Sequence, residues 1–260
     1  MSSTRVNRSS TTAEIISFIH AEAEASREGE KSMTWDVCTR EEQVRPSHAA
    51  ERKEWSDAAY EGNWVKIFEI CASESYDMSR FANVTRLLPR SVMFDPTRSP
   101  SGYTVLHQAA YMRAPDDVVQ ALIALGCFRQ LRTLDGKAQR PCDVAADRGF
   151  NHVAELLQPP PDLLPHISVG DMAKIQAHFV DVVIEESRGM FKPDEMRAVD
   201  LNVLREVKKI WMPVPGMYGG FTLRFEGDHL ITESWCRVVE GSGMRNHITV
   251  NGTTLMASGF

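Results

Sequence analysis

Gly102-Tyr103-Thr104-Val105-Leu106-His107-Gln108-Ala109-Ala110, followed by Val118, Val119, Leu122, Ile123, Leu125 and Gly126, is the stretch on which the fold turns. Thr104 and His107 bracket the start of a short helix, where side chains satisfy backbone N–H groups that have no partner in the first turn. The alanine pair keeps that helix thin, so a neighbour can pack closely against it. The apolar residues after it define a second helix that stops at a glycine, the residue that takes left-handed backbone without strain. The pattern returns at Gly136, Arg140, Pro141, Cys142, Asp143, Val144, Ala145, Ala146, Gly149, Val153, Leu156 and Leu157. A weaker copy runs through Ala58, Ala59, Gly62, Val65, Ile67, Phe68 and Ile70, with Trp55-Ser56 in place of Leu-His.

Three segments in register on an alanine pair resemble the ankyrin repeat, whose pattern is Gly-x-Thr-Pro-Leu-His-x-Ala-Ala, an apolar second helix and a glycine stop. The resemblance covers residues 55–158. It implies a short stack of helix-turn-helix units that binds another protein and carries no chemistry of its own. It also implies that Thr104 and His107 tie the turns of adjacent repeats together. Several positions depart from the pattern: Val105 replaces Pro, Arg140 replaces Thr, and Ala114-Pro115 lengthens an inter-helix turn. An insertion at 72–100 separates the first two repeats; Phe81, Val84, Leu87 and Leu88 within it have the spacing of a short helix. So few repeats bury their core only with caps on the ends.

Residues 1–10 read as a disordered tail, and 11–54 as an N-terminal helix and linker. Thr11 and Glu14 have the spacing of a capping box, and Ile15, Ile16 and Ile19 form one helical stripe that must dock on the repeats or on a partner. The charged stretch 28–52, with Pro46, is expected to be irregular.

Pro159-Pro160-Pro161 marks a boundary, and 162–260 reads as a separate α+β domain. Ile175, Phe179, Val182 and Val183 predict an amphipathic helix over 172–187, and Met196, Val199, Val203, Val207 and Ile210 a second helix to Trp211. The period then switches to two. Phe221, Leu223 and Phe225 alternate, a long strand runs from Leu230 to a break at 240–243, another runs from Arg245 to Val250, and Asn251-Gly252 is a hairpin signal. The predicted fold class is mostly α: a short helix-turn-helix array, then an α+β domain of two helices and a four-stranded antiparallel meander. Leu163, Leu164 and Ile167 are expected to fold back onto the last repeat, making the second domain its cap.

A formal charge of −6 and the lack of any dense Lys/Arg block argue against nucleic acid as a partner. No apolar run is long enough to span a bilayer, and no signal peptide is recognisable at Met1–Ser10. Five scattered cysteines without a C-x-x-C pair are read as reduced thiols, neither a disulfide framework nor a zinc site, which places the chain in a cytoplasm, and a bacterial source is expected. His152 and His178 lack a second ligand at helical spacing, and the Gly-rich stretches at 216–220 and 241–243 open no helix, so no metal and no cofactor are expected.

The function expected is a non-catalytic adaptor or regulator. Its partner-binding residues are those directly after the alanine pairs: Tyr60 and Glu61, Tyr111 and Met112, Asp147 and Arg148. Two alternatives stand beside it. In one, the array targets an enzymatic C-terminal domain, for which Cys236 and His247 on neighbouring strands are the conceivable dyad. In the other, the protein is immunity- or antitoxin-like and neutralises one partner.

Overall fold

The computed structural model describes residues 6–7, 10–26, 33–73, 79–89, 101–237 and 242–259. Most of the expected N-terminal tail, much of the insertion at 72–100 and the first half of the expected strand break at 240–243 lie outside the described residues, and Ser242 and Gly243 belong to a strand. The chain divides into two units, Met1–Lys31 with Val44–Gln158, and Ser32–Gln43 with Pro159–Phe260. Among the described residues eight α-helices and a six-stranded mixed sheet make the class α+β.

In the first unit, α1 (Thr12–Ser26) starts with a reciprocal cap: the Thr11 N–H donates to Glu14 Oε2 at 2.7 Å and the Glu14 N–H to Thr11 Oγ1 at 3.3 Å. Two N–H groups without helical partners are satisfied, and the bond from the Thr11 N–H, followed by the one that the Thr11 hydroxyl donates to the same carboxylate oxygen at 2.9 Å, holds the Glu14 carboxyl below its ordinary pKa. Three helix pairs come next: α2 (Pro46–Glu61) with α3 (Trp64–Ser73), α4 (Val105–Tyr111) with α5 (Asp116–Ala124), and α6 (Pro141–Asp147) with α7 (Asn151–Leu156). Helix α4 packs on both α2 and α6, and α5 on α7. Helix α1 lies against α3 and α5, burying Ile15 and Ile19 in the same core as Phe68, Leu106 and Leu122.

The first helix of every pair ends in the same way. The Asn63, Ala114 and Phe150 N–H groups donate to the carbonyls of Ala58, Ala109 and Ala145 at 2.8, 2.9 and 2.9 Å. This closure requires left-handed backbone just before the donor. Gly62 (φ 69°) and Gly149 (φ 75°) supply it in the first and third pairs, and Arg113 (φ 54°) does so in the second. Of the alanine pairs, Ala58, Ala59, Ala109, Ala110 and Ala145 are buried, and Ala146 is exposed.

Two expectations for this unit are corrected. Helix α2 begins at Pro46, inside the stretch read as irregular, because proline at the first helical position gives up no hydrogen bond and presets φ. The residues 79–89 form no helix, although Phe81, Val84 and Leu87 are buried. Side-chain hydrogen bonds anchor them instead: Arg52 Nε donates to the Thr85 carbonyl at 2.7 Å, the Cys127 thiol to the Ala82 carbonyl at 3.2 Å, and the Asn83 amide joins the Gly126 carbonyl (2.9 Å) to the Phe128 N–H (2.7 Å).

In the second unit, α8 (Val169–Glu186) is capped by Ser168 Oγ, which accepts from the Asp171 N–H at 3.0 Å, and buries Met172, Ile175, Phe179, Val182 and Val183. The sheet runs in the order β1 (Met33–Thr34), β2 (Ile210–Val214), β3 (Gly219–Glu226), β4 (His229–Cys236), β5 (Ser242–Thr249) and β6 (Gly252–Ser258). Strands β2 to β6 are an antiparallel meander, and β1 adds to the β2 edge in parallel. Phe221, Leu223, Leu230, Thr232, Asn246 and Ile248 are buried on the face that α8 covers.

The expected four-stranded meander is therefore a six-stranded mixed sheet, and the expected helix over 196–211 is absent. That span holds a 3-10 helix at Leu201–Arg205 and leads directly into β2. Its β-branched residues mimic a helical stripe, yet Ile210, Met212 and Val214 alternate buried with half-buried neighbours, a period of two. The first strand comes from the expected linker. Leu164 and Ile167 are buried, but Leu163, expected to pack, is 45% exposed. Arg205 secures this segment: its guanidinium donates to Asp162 Oδ2 (2.7 Å) and to the Leu164 (2.9 Å) and Ile167 (2.7 Å) carbonyls.

Candidate functional site

The hydrogen bonds that join the helix pairs set the positions of the candidate residues. His107 is fully buried, and its Nδ1 accepts from the Thr104 N–H at 3.3 Å and from Thr104 Oγ1 at 2.9 Å. With Nδ1 accepting, Nε2 carries the proton and donates to the Gln139 carbonyl at 3.2 Å, in the turn before α6. In the third pair Arg140 and Asp143 stand where Thr104 and His107 stand in the second: the carboxylate accepts from the Arg140 N–H (2.9 Å) and from its guanidinium (2.9 and 3.0 Å). That guanidinium holds the Asp143 carboxyl below its ordinary pKa.

The six candidates do not form one open patch. Met112 is 41% exposed, but its methyl lies 2.8 Å from where a Cβ on Gly62 would stand, so it fills the gap to the preceding pair. The Arg148 guanidinium lies 4.1 Å from the Tyr111 ring centroid, covering one aromatic face from the third pair. Asp147 accepts from Gln139 Nε2. Met112, Tyr111 and Arg148 thus stitch neighbouring pairs together, and Asp147 ties α6 to the turn before it. Tyr60 and Glu61 remain exposed at the end of α2; at 68%, Tyr60 is the most exposed large apolar residue described in this unit.

Beside Tyr60 a groove of about 460 Å³ opens between α2, residues 84–86 and the turn at 101–104 that leads into α4. Its walls include Trp55, Asp57, Tyr60, Arg86, Tyr103 and Gln108. Arg86 pairs with Asp57 and lies 6.0 Å from the Tyr60 ring. The hydrogen bond from Lys53, helped by the charge of Arg86, holds the Asp57 carboxyl below its ordinary pKa, so the rim is anionic and cationic in balance. Burial, reinforced by Asp135, raises the Tyr103 phenol, which stays a hydrogen-bond donor at neutral pH. The indole N–H of Trp55 is buried and has no hydrogen-bond partner among the described residues. Apolar walls with a few fixed donors and a self-neutralised ion pair suit an uncharged side chain of a peptide.

Of these residues, sequence reasoning found Tyr60 alone. Tyr103 and Gln108 lie inside the repeat pattern and were available to it, whereas Arg86 comes from an insertion with no repeat to assign its position.

In the second unit, register separates the conceivable dyad. Cys236 is opposite Ser242, and His247 is opposite Ile231, so the two residues lie at distant positions and on opposite faces of the sheet. The Cys236 thiol donates to the Met217 carbonyl at 2.8 Å, and His247 stacks on His229 at 5.9 Å. Among the described residues no group of three or more His, Cys, Asp or Glu is placed to hold a metal, and no helix is long and apolar enough to cross a membrane.

Comparison with protein-family models, with curated proteins and with solved structures gives no match for this chain.

Proposed function

We propose that this chain is a non-catalytic adaptor or regulator of the ankyrin-repeat type, working in the cytoplasm, which recognises a protein partner on the inner face of its helix pairs. The supporting observation is the groove beside Tyr60, where an exposed aromatic residue and a charge-neutral rim adjoin a cavity large enough for a side chain. Aromatic residues at the edge of such a cavity are the usual anchors of protein interfaces. Three things favour this reading over an enzymatic one: the repeat pattern, the stitching of the helix pairs, and the separation of Cys236 from His247.

A photo-crosslinking amino acid placed at Tyr60, and in a second preparation at Val65 on α3, tests it. The expected result is a defined cross-linked partner from Tyr60 that is lost with Arg86→Ala and Tyr103→Ala, and none from Val65. Equal cross-linking from both positions, or none from Tyr60, removes this face as the binding surface.

A further inference from the structure

The segment Ser32–Gln43 lies between α1 and α2 in sequence, yet it packs with Pro159–Phe260. Its strand pairing is minimal: Met33 with Ile210 and Thr34 with Trp211. Two parallel pairs are a weak basis for holding a strand, because each hydrogen bond mostly replaces one to water. Residues 35–43 hold the segment in place. Trp35 and Val37 are 2% and 1% exposed. The Trp35 backbone N–H donates to the Trp211 carbonyl at 2.8 Å, and its indole N–H to the Arg197 carbonyl at 2.9 Å. The Arg197 N–H in turn donates to the Val37 carbonyl at 2.8 Å, and Cys38 bridges Met196. Thr39 Oγ1 and Gln43 Nε2 both donate to the Glu195 carbonyl, at 2.5 and 2.6 Å. The Arg197 guanidinium lies 5.4 Å from the Trp35 ring.

The receiving surface thus presents main-chain carbonyls at 195, 197 and 211 and one main-chain N–H, and the Trp35 and Val37 side chains are buried on it. The bound segment brings an indole N–H, a hydroxyl and an amide to those carbonyls. This is how a sheet edge recognises an extended peptide: backbone pairing sets direction, and side chains in sockets set specificity.

We propose that the β2 edge together with residues 195–197 is a peptide-docking groove of the second unit, filled by the chain's own 33–43 segment and able to take a partner segment in its place. The partner chemistry is that of the resident segment: an extended stretch with tryptophan two positions before a small aliphatic residue, then a hydroxyl and an amide donor. Being tethered, the resident segment competes at high effective concentration, so an external ligand gains access only when the tethered segment is weakened or withdrawn.

The probe is a fluorescent synthetic peptide of Ser32–Gln43, titrated by anisotropy against the full-length chain. Wild type should bind it at least tenfold more weakly than Trp35→Ala/Val37→Ala, and a peptide carrying Trp35→Ala should bind neither. Equal binding to both chains, or none to a folded double variant, overturns the proposal. If the double variant does not fold, a full-length chain with protease sites inserted after Gly29 and after Gln43 replaces it. After cleavage, the nicked segment should remain bound and then exchange with excess labelled peptide. Failure to exchange, or exchange only between copies seen as a dimer by light scattering, overturns the proposal.

Discussion

His107 Nε2 donates to the carbonyl of Gln139, 3.2 Å away and in the next helix pair, while Nδ1 of the same ring closes the cap at Thr104. One neutral side chain thus satisfies an orphan N–H in its own pair and a carbonyl in another. Replacing His107 by Ala takes the acceptor from the buried Thr104 N–H and one of two donors from the Gln139 carbonyl, which keeps the Thr133 N–H at 3.0 Å, an expected loss of about 1–2 kcal/mol in urea unfolding. Losses confined to the second pair in hydrogen exchange, with the third unaffected, would contradict the bridging role.

Arg113 takes the left-handed conformation that Gly62 and Gly149 take in the equivalent positions. A residue with a Cβ is strained there by about 1–2 kcal/mol. Arg113→Gly should therefore raise stability by about 0.5–1 kcal/mol, the gain being reduced by the greater freedom of glycine in the unfolded chain. Arg113→Ala should show no such gain, and comparing the two melting curves separates backbone strain from loss of the guanidinium.

His152 Nε2 lies 2.7 Å from Asp116 Oδ2, linking α7 to the first turn of α5. The hydrogen bond to Asp116, then its charge, raises the His152 pKa above its ordinary value. A raised folded-state pKa gives stability that is fully present below the unfolded pKa and is lost as pH rises through the folded one. NMR titration should show His152 titrating above a free histidine, and Asp116→Asn should return it to the ordinary range.

Arg205 is 8% exposed and holds Asp162 and the carbonyls of Leu164 and Ile167. Arg205→Met takes the donor from the Ile167 carbonyl and one of two donors each from Asp162 and the Leu164 carbonyl, which keep the Leu164 and Ile167 N–H groups, with an expected cost of about 2–3 kcal/mol. Asp162→Asn, which keeps an acceptor, should cost less. Both are measurable by denaturant unfolding of the full chain.

The α+β class was legible wherever one period dominated. The 172–187 stripe became α8, and the alternation from Phe221 onward became β3 to β6. Thr11 and Glu14 gave their cap because its chemistry is local. What escaped was non-local. Val199, Val203 and Val207 fit a helix by spacing, but their partners and the pairing of Ile210 with Leu223 belong to a sheet no local pattern reveals. Met33–Thr34 is too short to carry a period, and its strand exists only because residues far along the chain receive Trp35. At the candidate site, Tyr60 was visible as an exposed position after an alanine pair. Met112 and Arg148 were visible in the same way, but their engagement with Gly62 and Tyr111 was not, because it is a property of stacking.

The placement of Trp35 also bears on synthesis. The residues that receive it, Glu195, Arg197 and Trp211, leave the ribosome long after it does. At about 5–20 residues per second, Trp35 and Val37 wait on the order of 10–30 s without these residues. During that interval two residues destined for a core are available to chaperones or to other nascent chains. A premature stop before Trp211 would leave them permanently so, and truncated products should be recognised by quality control through the N-terminal half of the chain.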